Sequence, residues 1–172
     1  NFDTFNGMVI QQVARINTNG TVDVAFNPGV GFDVFPTNVV YQPTTTGVVM
    51  AGTFTSYNGT PTLGLTRADA TGAFDVTFAV NALGFGGAAV NHMELFSDDS
   101  ILVGGTFTAY EGNPANYLVK ITPNGVYDAT FNTTVGFDTV VNTARPQSDG
   151  SVYAGGSFTT YNGTSSNGIV KL

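Results

Sequence analysis

The stretch FTSYNGT, Phe54 to Thr60, recurs as FDTFNGM from Phe2, FTAYEGN from Phe107 and FTTYNGT from Phe158. These copies start 52, 53 and 51 residues apart, a period that points to stacked structural repeats before it points to chemistry. Three other segments keep the same step. NGTVDVAFN starts at Asn19, TGAFDVTFA at Thr71 and NGVYDATFN at Asn124; a Gly-Phe pair recurs with Phe32, Phe85 and Phe137; and the runs VVMAGTF, ILVGGTF and VYAGGSF lead into the next motif. The whole unit therefore repeats, and FTxYNGT reads as a turn closing each copy.

Short stretches rich in Val, Ile, Leu, Tyr and Phe, bounded by Asn-Gly, Asp-Gly or Thr-Gly, predict strands joined by tight turns, because those pairs tolerate the positive φ that hairpins need. Four strands are expected per unit; in the second they fall at about 63–68, 73–79, 90–96 and 101–107. Gly or Pro interrupts most windows of helical length, so the class is all-β.

Four-stranded units of about 50 residues match the blades of a β-propeller, in which each sheet covers its neighbour's apolar face. Ten of the fourteen phenylalanines lie at recurring positions (Phe2, Phe54, Phe107 and Phe158; Phe26, Phe78 and Phe131; Phe32, Phe85 and Phe137), which assigns them to the core between blades. One repeat domain is expected over residues 1–172, with units at about 2–53, 54–106 and 107–157 and a partial unit at 158–172. About three blades are fewer than the four to eight that propellers commonly close with, and Leu172 falls at the repeat position of Ile16. The chain is thus expected to be an excerpt of a larger propeller, with other blades or copies of the same protein as its partners.

Charge placement gives an independent register. Arg15, Arg67 and Lys120 share one repeat position and each precedes an aspartate by eight residues, Asp23, Asp75 and Asp128. With the turn between them, each pair is expected to face across a hairpin and staple its blade.

The segments GLTRADATGAFDVTFA, YLVKITPNGVYDATFN and SDGSVYAGGSFTTYNGT resemble the delta-60 repeat, a β-propeller family of bacterial and phage proteins. Its pattern runs from a basic residue through an Asx-Gly turn to an aspartate and a phenylalanine, then a second turn, an apolar run and Gly-Gly. Arg15, Gly20, Asp23, Phe26 and Gly52 match it in the first unit, and Lys120, Asn124, Gly125, Asp128 and Phe131 in the third. Ala51 replaces the first glycine of the pair, and TTTG replaces the usual Asp-Gly turn. The resemblance spans essentially the whole chain and implies the fold; it brings no agreed activity and no catalytic residues. The added FTxYNGT is similar to versions in large surface proteins and phage tail-fibre proteins.

Composition excludes several function classes. Charged residues are 10% of the 172, with five Lys plus Arg against twelve Asp plus Glu, a formal charge of −7. Nucleic-acid affinity rests on clustered cations, so a nucleic-acid partner is not expected. No apolar run approaches the roughly 18 residues of a membrane-spanning helix, so membrane insertion is not expected either. Without cysteine there is no disulfide and no thiolate metal site. Low charge with abundant Gly, Thr, Asn and Phe fits an extracellular or virion-surface protein.

Catalysis needs a nucleophile with a base, a carboxylate pair or metal ligands. The chain has one histidine, His92, which shares a strand side with Glu94 and so forms an acid–base couple without a recurring nucleophile; no enzyme activity is expected. Asn17, Asn19 and Asp23 space like a calcium loop, but the equivalent loops lose the first ligands, and Asx turns account for the residues better. No cofactor is expected. The Asn-x-Thr sequons at Asn19, Asn58, Asn132 and Asn162 follow from the same turn chemistry.

Recognition belongs where the repeats disagree. Counting sixteen back from each motif phenylalanine gives Asn38, Asn91 and Asn142, and three residues on stand Tyr41, Glu94 and Arg145: an aromatic, an acid and a base. These residues, His92, and the loop tyrosines Tyr57, Tyr110 and Tyr161 are the candidate contacts to a cell-surface glycan or protein. The expected function is a non-catalytic extracellular module, part of a phage tail fibre or virion appendage that contacts the host surface. A bacterial secreted adhesin or envelope scaffold is the alternative, and a propeller hydrolase or lyase the second.

Overall fold

The structure is a computed structural model that describes residues 4–78, 83–131 and 135–172; Phe2, Asn132 and position 79 of the expected strand 73–79 lie outside them. The described residues form strands, bridges and turns, with no helix. Three antiparallel three-stranded sheets carry the architecture. The first joins Pro36–Gln42, Gly47–Gly52 and Leu65–Ala68. The second joins Val90–Leu95, Ile101–Gly105 and Leu118–Ile121. The third joins Val141–Pro146, Val152–Gly156 and Ile169–Lys171. In each the strands follow one another in chain order, and the first strands of the three sheets lie side by side.

The expected fourth strand shrinks to one bridge pair, Ile16 with Val22, Ala68 with Phe74 and Ile121 with Tyr127. The aspartate after the bridge turns the chain away: Phe78 N–H, for instance, donates to Asp75 carbonyl at 3.2 Å.

The repeat is also phased differently from the expected unit boundaries. FTSYNGT does not close a blade; it lies inside one, between the second and third strands of the first sheet. There it folds into a ribbon of its own, Ser56–Tyr57 paired with Thr60–Pro61. Asn58 (φ 48°) and Gly59 (φ 76°) make the two-residue turn with both residues in the left-handed region, which is why the sequence writes Asn-Gly there. Equivalent ribbons form at Ala109–Tyr110 with Asn113–Pro114 and at Thr160–Tyr161 with Thr164–Ser165.

Strand alternation sends apolar side chains to both faces of each sheet, and the faces pack between sheets. Val49, Ala51 and Leu65 of the first sheet share a core with Met93, Ile101 and Val103 of the second. Leu102 and Leu118, on the second sheet's other face, pack with Val141, Ala144, Val152 and Ala154 of the third. Each Val, Leu, Ile or Met among them contributes about 1.5–3 kcal/mol on burial. Phenylalanine from the Gly-Phe pair stacks against the FTxY aromatics in every unit. Phe32 lies 4.6 Å from Phe54 and from Tyr57; Phe85 lies 4.6 Å from Phe107 and 4.9 Å from Tyr110; Phe137 lies 4.6 Å from Phe158 and 4.8 Å from Tyr161.

The predicted charge pairs form across the bridge: Arg15 to Asp23 at 2.9 Å, Arg67 to Asp75 at 2.7 Å and Lys120 to Asp128 at 3.5 Å. They also tie one unit to the next. Arg15 Nη1 donates to Ala70 carbonyl at 2.7 Å, and Arg67 Nη1 to the equivalent Pro123 carbonyl at 2.9 Å. Arg67 is almost fully buried and fully engaged, with Gln42 Oε1 at 3.0 Å, Thr77 Oγ1 at 3.1 Å and the Phe78 ring centroid at 4.9 Å. Gln42, itself buried, donates to the carbonyls of Asp99 and Pro123, both at 2.9 Å. Asp99 takes a left-handed φ of 62° at the turn position where the third sheet has Gly150, and its carboxylate accepts from Thr44 N–H at 2.9 Å and from the Thr44 hydroxyl.

Replacing Arg67 by Met should therefore remove the guanidinium that Asp75 Oδ2 and Gln42 Oε1 accept from, and cost about 3–5 kcal/mol. The same change at half-exposed Arg15 should cost no more than about 1 kcal/mol. Urea unfolding of the two variants beside wild type measures the contrast.

Candidate functional site

A bulge opens each first strand, between Pro36 and Asn38, Val90 and His92, and Val141 and Thr143. It displaces Thr37, Asn91 and Asn142 from the ladder and sets the register of the remaining strand. Opposite pairs past it are Val40 with Val49, Glu94 with Leu102 and Arg145 with Tyr153. Val40, not Tyr41, is thus the structural equivalent of Glu94 and Arg145. The hairpin of the first sheet holds four residues, Pro43 to Thr46, where the others hold three, Ser97 to Asp99 and Ser148 to Gly150. Counting back from Phe54 slips by that residue, for Asn38 as well as Tyr41.

Tyr41 consequently belongs to the other face. It sits opposite Val48, and side chains opposed across a ladder share a face. Val48 packs with Met50, Phe26 and Val13, away from the second sheet. Tyr41 is 55% exposed there, apart from the acid and the base.

Glu94 and Arg145 do meet. Arg145 Nη1 donates to Glu94 Oε1 at 3.1 Å, with the Arg145 side chain 66% exposed. His92 Nε2 lies 3.5 Å from Glu94 Oε2, within ion-pair range, but makes no hydrogen bond. Beside them Asn91 Nδ2 donates to Asn142 Oδ1 at 3.3 Å, and Asn38 Nδ2 donates to Val90 carbonyl at 2.9 Å. The result is a polar seam along the adjoining first strands, with one carboxylate shared between a guanidinium and an imidazole. It offers hydrogen bonds and charge to a ligand, and among the described residues no hydroxyl is hydrogen-bonded to the carboxylate or the imidazole.

The loop tyrosines leave the candidate surface. Tyr57 and Tyr110 are fully buried, and their hydroxyls donate to the carbonyls of Gly72 and, at 2.6 Å, Gly125. Burial pushes both phenols well above their ordinary range and Tyr161, which is partly buried, in the same direction. A position marked by turn residues reads as exposed, yet the two-residue ribbon turns its tyrosine inward against the Gly-Phe phenylalanine. The turn residue is structural too. Asn58 Oδ1 accepts from Val30 N–H at 3.3 Å, Asn162 Oδ1 from Gly136 N–H at 2.8 Å, and Glu111 Oε1 from Gly84 N–H at 2.7 Å.

Asn19 and Asp23 spend their oxygens locally, and Asn17 donates its Nδ2 to Thr21 Oγ1 at 3.0 Å. Asn19 Oδ1 accepts from Thr21 N–H at 3.1 Å, and the Asp23 carboxylate takes Ala25 N–H at 3.0 Å and Arg15 at 2.9 Å. Among the described residues no group of three or more His, Cys, Asp or Glu could hold a metal ion.

Sequence reasoning passed over two aspartates that follow the Gly-Phe pairs. Asp33 accepts from Thr55 N–H at 3.0 Å, Thr55 hydroxyl at 2.5 Å and Ser56 N–H at 3.0 Å. Asp138 does the same with Thr159 N–H at 2.9 Å, Thr159 hydroxyl at 2.6 Å and Thr160 N–H at 3.1 Å. The signal was the Gly-Phe-Asp shared by two units of three. Hydrogen bonds from the Thr159 hydroxyl and the neighbouring amides draw the Asp138 carboxyl down from 3.8 to about 2; at Asp33 desolvation raises the carboxyl, and the Thr55 hydroxyl with the Ser56 and Thr55 amides together outweigh it and lower it.

A depressed folded-state pKa contributes stability that is present above the unfolded value and lost as pH falls through the folded one. Wild-type stability should fall from about pH 4 to pH 2, and Asp138→Asn should flatten that part of the profile while lowering stability at pH 7. Urea midpoints across pH 2–7 test this.

Comparison with known families returns one match, to the beta-propeller domain of unknown function DUF5122, over residues 48–78, 97–131 and 147–172, together more than half of the chain. Each matched segment begins within or just before a second strand and runs through the ribbon and the third strand. Neither a curated protein nor a solved structure matches the chain.

Proposed function

The chain belongs to the DUF5122 beta-propeller family, and from that premise we propose that it is a non-catalytic contact module of an extracellular or virion-surface protein. Within the family we place it with the delta-60 repeats, on the basic-turn-Asp-Phe pattern at Arg15, Arg67 and Lys120. The observation that supports a contact role is the seam at Glu94 and Arg145. Arg15, Arg67 and Lys120 are paired to the aspartates of their own units, whereas Glu94 and Arg145 differ between equivalent positions, meet at 3.1 Å and remain accessible. A position that the scaffold leaves free to vary suits recognition.

The ligand class is a cell-surface glycan or protein, and the setting that fits composition and motif is a phage tail fibre or related appendage. The couple of His92 with Glu94, at 3.5 Å, supports an acid–base reading less well, because no nucleophile accompanies it.

Fluorescently labelled protein should bind a subset of intact bacterial strains saturably. The double variant Glu94→Ala, Arg145→Ala should lose at least about tenfold in affinity, the loss expected for charged hydrogen bonds. Absence of binding to every strain by folded protein would remove the contact role.

A further inference from the structure

The second unit keeps a carboxylate cradle and lacks the carboxylate. Asp33 and Asp138 follow Phe32 and Phe137, but Phe85 is followed by Gly86. The donors are retained: Thr108 stands where Thr55 and Thr159 do, and Ala109 where Ser56 and Thr160 do. The backbone on the ribbon side is retained as well, since Thr108 carbonyl accepts Ala115 N–H at 3.0 Å just as Thr55 accepts Thr62 and Thr159 accepts Ser166, both at 2.9 Å, whereas among the described residues the bridges of Phe32 with Tyr57 and Phe137 with Tyr161 have no counterpart at Phe85. Among the described residues, the Thr108 N–H, the Thr108 hydroxyl and the Ala109 N–H have no partner.

A cavity of about 380 Å³ opens where the aspartate would be, lined by Phe85, Gly86, Ala88, Thr106, Thr108 and Ala109 among others. Gly86 itself takes a left-handed φ of 64°, which neither Asp33 nor Asp138 does, and no side chain enters the cavity from it. We propose that this cavity is a binding site for a carboxylate group presented by a ligand, held by the Thr108 and Ala109 donors as Asp33 and Asp138 are held in the sister units.

The same chain supplies the template. Two amides and a hydroxyl converging on one carboxylate form an anion cradle of fixed dipoles, and the lowered Asp138 carboxyl shows how well this donor set stabilises negative charge. The volume falls within the range of small-molecule pockets and admits one acidic sugar or one acidic side chain. Glu111, beside the lining residue Gly112, keeps its Oε1 on Gly84 N–H at 2.7 Å, so a second negative group lies near the cavity and opposes carboxylate binding. The site goes beyond the Glu94–Arg145 seam and rests on the contact function only for the biological source of the carboxylate.

Amide chemical shifts of the whole chain are followed by NMR during titration with acetate, glucuronate, N-acetylaspartate and, as a neutral control, glucose, at ionic strength fixed with sodium chloride. Saturable shifts at Thr108 and Ala109 with the acids, none with glucose, and none at Thr55 or Thr159 are expected. Glucuronate binding more tightly than the other acids assigns an acidic sugar; N-acetylaspartate binding more tightly assigns a peptide. Thr108→Val should weaken binding about tenfold or more. Unshifted amides, equal shifts with glucose, or unchanged affinity in Thr108→Val would overturn the proposal. None of these readouts involves Glu94 or Arg145, so failure here leaves the cell-binding result standing, and the reverse.

Discussion

A three-stranded sheet with apolar side chains on both faces cannot bury either face alone, and the rest of this structure depends on that constraint. The middle strand of the second sheet shows it in consecutive residues: Ile101 and Val103 pack toward the first sheet, and Leu102 packs toward the third. A surface sheet would alternate apolar with polar; here both sets are apolar because both faces are covered. Repetition of the sequence is then a requirement of packing. Each sheet has to present one face that fits the face its neighbour presents, and the simplest way to meet that condition is to write the same unit again.

Polar groups at the same interfaces add register to this apolar fit. Arg67 would be costly to bury alone, yet every donor group of its guanidinium has an acceptor, from its own hairpin, from Gln42 and from the Pro123 carbonyl of the next unit. A one-residue slip between the sheets would leave those groups unsatisfied. Asp99 contributes in kind, holding a left-handed backbone where a glycine would be easier and spending its carboxylate on Thr44 across the interface. The FTxYNGT ribbons belong to the same system. Their tyrosines fill the space beside the Gly-Phe phenylalanines, and their Asn or Glu side chains hold the loop that precedes each sheet.

Much of this was legible in the sequence, and the parts that were not have identifiable causes. Hairpins, the all-β class and the pairing of Arg67 with Asp75 follow from turn residues and a fixed spacing, both of which are local. The phase of the unit is not local. Nothing in FTSYNGT itself says whether it closes a sheet or sits between two strands of one, because a two-residue turn serves either. Tyr41 was misplaced because the first sheet's hairpin carries one more residue than the second's while the segment from Phe32 to the strand carries one fewer, so the overall period hides the shift. Tyr57 and Tyr110 looked like loop residues because a ribbon of two pairs is too short to show its inward side by alternation. Asp33 and Asp138 were passed over because their partners lie more than twenty residues away. The meeting of Glu94 with Arg145 was within reach, since both stand at one position of neighbouring units.

The stacked architecture depends on neighbouring sheets packing face to face, and methyl-to-methyl nuclear Overhauser contacts report that packing most directly. Cross-peaks linking Val49 and Leu65 to Met93 and Val103, and linking Leu102 and Leu118 to Ala144 and Val152, are the predicted result. Strong cross-peaks within each sheet and none between sheets would mean that the units fold without covering one another, and the stacking would be wrong.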